Sequence, residues 1–298
     1  MSWKTQNSRR PELEALEVNA PEGYIGTRLY PKEKVSQKNG TIYFVPAGAK
    51  ITAQSDRDPK TGAILRNFFG SSNKNYATIS TEARIAITRD EVKQFGGVDA
   101  ADQYGAKAVK RAVLAKQEKA VADAATAGEA VTVTEGTFFA AIRGACKAVK
   151  PYSGTLALVC SLEAYGKIMD LEEVRSRLSF QGGSVLDREA LESLKPEVLK
   201  DMLQNVFAVQ EILIGDDDFW PADKIVIVKL PSEEPLSYKQ AAELGKTIAY
   251  SSDGVEVCEI ESAVNTDLLV NDYTGISYFA VTEFNPGARK VLTIGIGE

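Results

Sequence analysis

The sequence predicts an α+β subunit with a projecting two-stranded hairpin and an extended N-terminal arm. Three observations lead there. Residues 41–46 and 50–54 are strand-like, residues 55–75 form a polar tip, and strand pattern returns in residues 76–88. In that last run Ala77, Ile79, Thr81, Ala83, Ile85 and Ile87 share one face, opposite Thr78, Ser80, Glu82, Arg84 and Thr88. Residues 99–127 then read as one alanine-rich helix that lacks proline; at 1.5 Å per residue it would span roughly 43 Å. After Gly128 the pattern becomes α/β. A hairpin beside so long a rod cannot bury itself inside a compact monomer, so both are expected to touch other molecules.

Taken in order, residues 1–38 are mostly irregular, with Arg9-Arg10-Pro11 and a helical turn at 12–16. By residue type alone this is either a frayed tail or an arm laid across a neighbour, anchored by Trp3, Tyr24 and Tyr30 with Arg9 and Arg10. Asn39-Gly40 is a tight-turn signal, because both residues tolerate positive φ. The tip carries Phe68-Phe69 among polar neighbours. Adjacent residues cannot share one strand face, so the pair either tucks back onto its own domain or contacts an adjacent subunit.

The long helix is not simply amphipathic. Ala106, Val109, Val113 and Ala120 form a stripe interrupted by Lys116, while Lys107, Arg111 and Glu118 share the far face. Between residues 104 and 119 it carries five basic residues and one acid. The face of Lys107, Lys110, Arg111 and Lys119 reads as a solvated charged surface or as a stripe tolerant of nucleic-acid phosphates. Residues 134–150 are expected to be helical, with Phe138, Phe139, Ile142, Cys146 and Val149 inward and Thr134 or Glu135 near the cap. Leu156, Ala157, Leu158, Val159 and Cys160 make a buried strand, Ser161 an N-cap, and 162–171 its helix. Residues 186–204 are expected to be helical and split at Pro196, 206–214 and 224–230 are strands around Asp216-Asp217-Asp218, and 277–283 and 290–296 close the chain as strands. The aspartate run is read as a solvated turn, since calcium sites need spaced ligands and a distal carboxylate.

Composition narrows the chemistry. The chain has 298 residues, 44% hydrophobic and 26% charged, enough for one large or two intimate domains. Its net charge of −6 argues against a dedicated nucleic-acid binder, though not against a container wall that meets nucleic acid. Histidine is absent, which removes the commonest general base and zinc ligand and excludes Ser-His-Asp and Cys-His mechanisms. Neither phosphate-cradling glycine motif occurs, so no cofactor and no metal is expected. Cys146, Cys160 and Cys258 are read as free core thiols. The polar first twenty residues carry no secretory signal, and the longest apolar runs are strand length, so no membrane partner is expected.

Several segments together resemble the major capsid protein of a tailed bacteriophage, with the shell fold typified by phage Hong Kong 97. They are Gly23-Tyr24-Ile25-Gly26-Thr27-Arg28-Leu29-Tyr30-Pro31, the strand at 76–88, the helix at 104–125, Thr155-Leu156-Ala157-Leu158-Val159-Cys160-Ser161 with the helix around Tyr165, and Phe284-Asn285-Pro286-Gly287. These are matches of order and texture over most of the chain. The resemblance implies an N-terminal arm at 1–40, an E-loop hairpin at 41–88 and a peripheral domain with spine helix at 89–152. It implies an axial domain at 153–275 and a return to the peripheral domain at 276–298. It further implies a non-enzymatic subunit that assembles into hexamers and pentamers of an icosahedral shell around double-stranded DNA. The resemblance places that shell in the virion, built in the bacterial cytoplasm, with scaffolding, portal and decoration proteins as further partners. Some family members crosslink a loop lysine to an asparagine; Lys60 or Lys74, Asn271 or Asn285, and Glu283 have the right types but not the motif, so that chemistry is not carried over. The alternatives are an encapsulin-type nanocompartment shell, which shares the fold, and a soluble α/β enzyme using Glu211 or Asp216.

Overall fold

The computed structural model describes residues 8–44, 46, 72–134, 136–152, 154–179, 201, 204–231, 243–251, 257–265 and 270–295. Trp3, Phe68, Phe69 and Lys60 lie outside them, as do most of the hairpin tip and most of residues 186–204.

The N-terminal stretch holds β1 (Ser8–Arg9), the one-turn helices α1 (Pro11–Glu14) and α2 (Gly26–Leu29), and β2 (Lys32–Val35). The hairpin strands β3 (Asn39–Phe44) and β4 (Ser72–Ala77) follow, then β5 (Ile79–Thr88) and α3 (Arg89–Gln94). Thr88 begins α3 with a reciprocal capping box to Glu91. The long helix α4 (Val98–Thr126) has 29 residues and stands one residue earlier than the sequence suggests. Next come β6 (Ala130–Val133), α5 (Phe138–Val149), β7 (Thr155–Ser161), α6 (Leu162–Asp170) and α7 (Glu172–Ser179). The remainder is β8 (Glu211–Gly215), β9 (Lys224–Leu230), β10 (Gly245–Tyr250), β11 (Glu259–Asn265), β12 (Val270–Glu283), a 3-10 turn at Pro286–Ala288 and β13 (Arg289–Ile294).

Two sheets organise these elements. The first runs β1-β11-β12-β10-β2, and β5 joins the opposite edge of β12. The second runs β6-β13-β9-β7-β8. Its central strands β7 and β9 are buried on both faces: Leu158, Cys160, Ile225 and Ile227, with Leu292 and Ile294 of β13, pack under α5, α6 and α7. The alternate residues Ala157, Val159, Val226, Val228 and Val291 pack against α4 and the N-terminal stretch. Such double burial is why these strands read as unbroken apolar runs.

Helix α4 connects the two sheets. Ala101, Ala106, Val109 and Val113 pack on the first sheet beside Ala83, Ile87, Ile260 and Tyr273. Val121, Ala122 and Ala125 pack on the second. The apolar face therefore shifts by nearly half a turn midway along the helix, about 150° at 100° per residue, which removes any single stripe from the sequence. Gly105, the one glycine of this helix, lies under the Tyr273 ring, where a Cβ would come within 2.6 Å of it.

Four expectations are corrected here. Asn39-Gly40 is not a turn; it begins β3, with Gly40 opposite Tyr76, and the chain bends at 36–38 instead. Its glycine serves close approach, since a Cβ would lie 2.8 Å from the Tyr76 hydroxyl. Residues 206–210 are not strand; β8 starts at Glu211, after a turn in which Ala208 takes φ 54°. Helix α5 starts at Phe138, four residues late, because Thr134 and Thr137 bond to each other in a preceding turn. The boundary at 275 falls inside β12, and β13 belongs to the second sheet, between β6 and β9.

Candidate functional site

The features that single out this chain are its N-terminal stretch, the outer face of α4 and the hairpin. Each is set by side chains of α4 or by the end of β12.

Three charged residues of α4 are buried eight positions apart, Asp102, Lys110 and Glu118, or about 12 Å from one to the next. All three hold the N-terminal stretch. Asp102 accepts Arg10 Nη2 at 3.0 Å and the Tyr273 hydroxyl. Lys110 donates Nζ to the Glu14 carbonyl at 2.7 Å and to the Leu16 carbonyl. Glu118 accepts Ile25 N–H at 3.0 Å, Gly26 N–H at 2.9 and 3.1 Å, and Trp220 Nε1–H at 3.0 Å. Burial pushes the Glu118 carboxyl up, while its bonds from Trp220, Gly26 and Ile25 pull the other way. The stretch thus runs alongside α4 as a strap on its own chain, with β1 also paired to β11.

This placement bears on several sequence expectations. Tyr30 is fully buried in its own chain and donates to Glu283 Oε1 at 2.7 Å, so it is not a free anchor for a neighbour. Tyr24 is half-buried and meets Phe219 edge-on at 5.3 Å. Arg9 forks onto Glu14 at 2.9 and 3.0 Å, and Arg10 is shared among Glu12, Asp102 and Ser262. Lys110 leaves the proposed phosphate-tolerant stripe because its ammonium is committed inside. Lys107, Arg111 and Lys119 are exposed, with Lys119 3.2 Å from Asp123. Glu118, expected on the same outer face, is buried.

The base of the hairpin is docked on its own chain. Ile42 is buried with Ile248 and Phe284, and Phe44 stacks on Phe284 at 4.9 Å with the rings 7° from parallel. Lys74 Nζ donates to the Glu283 carbonyl at 2.7 Å. Asn285 is buried and its amide donates to the Glu243 carbonyl at 2.8 Å. Lys38 lies 3.5 Å from the centre of the Tyr278 ring and 5.3 Å from that of Tyr250, below the hairpin. Tyr43 of β3 is 70% exposed and Ile79, at the start of β5, is 72% exposed. A second exposed apolar group, Phe95, Val98 and Tyr104, flanks the start of α4, with Phe95 and Tyr104 stacked at 4.5 Å. No sequence signal distinguishes these rings from core aromatics.

Chemistry is sparse by comparison. The acidic turn does structural work: Asp217 accepts Glu163 N–H at 2.8 Å beside the Ser161 cap of α6, and Asp216 accepts Asp218 N–H at 3.0 Å. Glu211 is forked by Arg28 at 2.6 and 2.9 Å. The Cys160 and Cys258 thiols are free and pushed up to about 12 by burial. Among the described residues no group of three or more acidic or cysteine side chains could hold a metal ion, and no helix is long and apolar enough to cross a membrane.

The same arrangement recurs in solved structures. A phage-related protein from Bordetella bronchiseptica RB50 superposes with a TM-score of 0.64 at 15% identity, over 96% of this chain and 97% of that one. The chain has the tailed-phage capsid fold. The capsid fold also matches a chain of the satellite phage P4 procapsid including size determination (Sid) protein, with a TM-score of 0.50 and 12% identity over 90% of this chain and 86% of that one. The holo-SrpI encapsulin complex from Synechococcus elongatus PCC 7942 matches with a TM-score of 0.52 and 10% identity, over 95% of this chain and 92% of that one. No protein-family model matches the sequence, and no curated protein matches it.

Proposed function

We propose that this chain is the major capsid protein of a tailed phage, a non-enzymatic subunit that assembles into an icosahedral shell around double-stranded DNA. The observation that carries this reading is the superposition of nearly the whole chain on nearly the whole of a phage-related protein. In this reading the strap is the N-terminal arm, β3–β4 the base of the E-loop and α4 the spine. The first sheet with α4 is peripheral, and the second sheet with α5, α6 and α7 is axial, so β13 returns to the axial part. The exposed basic residues Lys107, Arg111 and Lys119 face packaged DNA without forming a tight site. Copies of the chain meet as hexamers and pentamers through repeated interfaces that close by symmetry, and many weak contacts acting together hold the shell. Scaffolding, portal and decoration proteins complete the virion.

The encapsulin match supports a second reading, a shell enclosing protein cargo. Expression of the chain alone, followed by sedimentation and negative-stain electron microscopy, tests both. Closed particles are expected. Discrete single molecules at high concentration would overturn the shell reading, and particles that co-purify with an enzyme cargo from the native host would favour the encapsulin.

A further inference from the structure

We infer that Glu283 is a positioning residue that couples the angle of the hairpin to the setting of the two sheets and the seating of the N-terminal strap. Glu283 ends β12, where the chain leaves the first sheet, and Arg289 begins β13 in the second, only six residues later. Glu283 Oε1 accepts Arg289 Nε–H at 2.8 Å and the Tyr30 hydroxyl at 2.7 Å. Arg289 passes the connection on, since its Nη1 donates to the Ala127 carbonyl at the end of α4. The main chain of the same residue holds the hairpin, through Lys74 Nζ on its carbonyl at 2.7 Å. The next residue, Phe284, carries the ring on which Phe44 stacks, and its N–H is fixed to the Leu244 carbonyl at 2.8 Å.

One short segment is thus bonded to the hairpin, the strap, the end of α4 and both sheets. The Arg289 side chain is 8% exposed and that of Glu283 23%, so this ion pair is shielded from the solvent that weakens surface pairs. Turning one sheet against the other must either break the Glu283–Arg289 bonds or drag Phe284 and the hairpin base with them. Packed elements shift between discrete arrangements rather than bending continuously. A subunit that changes its internal angle would therefore re-aim its hairpin. The coupling is a property of the single chain; its use in fitting one sequence to several shell environments rests on the capsid reading above.

Hydrogen–deuterium exchange on the dilute, unassembled chain tests it. Glu283→Gln keeps the size and one acceptor oxygen, and its side chain touches no hairpin residue among the interactions described. It is expected to raise exchange at residues 39–44 and 72–77 about ten-fold, the equivalent of one lost charge-assisted hydrogen bond, with mid-α4 amides unchanged. Hairpin exchange within two-fold of wild type, or an equal rise throughout the molecule, would overturn the coupling. Should Glu283→Gln not fold, Tyr30→Phe, which removes a single hydroxyl, is judged by the same two outcomes. Failure of wild type to form shells would bear on the functional reading alone, since this readout needs no assembly.

Discussion

Gly26 and Glu118 form a matched pair. A Cβ on Gly26 would lie 2.6 Å from Glu118 Oε2 and 3.1 Å from two Val121 carbons, and both of those residues are buried. Gly26→Ala is expected to destabilise the chain by about 1–3 kcal/mol, the usual range for overpacking, as read from urea unfolding. A loss below about 0.5 kcal/mol would mean the strap relaxes away from the helix at little cost. Glu118 adds a pH dependence. Its carboxyl lies above the ordinary value of 4.5, chiefly through burial, so the folded chain binds this proton more tightly than the unfolded one. The resulting stability is present below the ordinary value and is lost as pH rises through the raised one. The stability of wild type minus that of Glu118→Gln should therefore fall as pH rises above 4.5. A flat difference across that window would show that the donors from residues 25, 26 and 220 cancel the cost of burial.

At the scale of elements, α4 shows how one helix serves two sheets and a strap. Its buried lysine is the clearest case. Lys110→Met keeps a long flexible side chain but removes two bonds to main-chain carbonyls, each worth about 1.5–3 kcal/mol when the donor is charged, offset by the charge no longer buried. The region around α1 should then become more sensitive to limited proteolysis, while the circular dichroism of the helices is kept. Unchanged protection would mean that Asp102 and Glu118 suffice to hold the strap. The hairpin tip carries a different expectation. Replacing Phe68 and Phe69 together by serine should leave a folded protein that assembles poorly, because the rings are proposed to find cover on an adjacent subunit. Normal particle yield in sedimentation would rule that role out.

For the whole molecule, the shell reading proposed above predicts collective behaviour. Assembly through many repeated contacts should show a threshold, with particles appearing above a critical concentration and free subunit held nearly constant beyond it. Light scattering across a dilution series checks this, and a smooth monomer–dimer curve would contradict it. The strap and the hairpin base dock on their own chain, so Tyr30, Lys110 and Glu118 are buried where residue patterns leave them open. Among the described residues the exposed large apolar side chains are Tyr43 and Ile79 near the hairpin, Phe95, Val98 and Tyr104 at the head of α4, and Val131 and Leu162 elsewhere.

Local pattern by itself determined the order of parts. The period-two run became β5 and the proline-free alanine-rich run became α4; Ser161 caps α6, and the apolar run before it is β7. Those signals act within one turn or one strand, so neighbouring residues suffice to carry them. Partnership was decided only in three dimensions. Arg10, Glu14 and Ile25 reach α4 across about ninety residues of chain, and Tyr30 reaches Glu283 across 253. A glycine that signals a turn in the sequence instead makes room for Tyr76, and a lysine and a glutamate that look solvated on a helical wheel are buried by the strap. Burial of a charge depends on which distant donor or acceptor meets it, and that information resides in packing rather than in the spacing of residues along the chain.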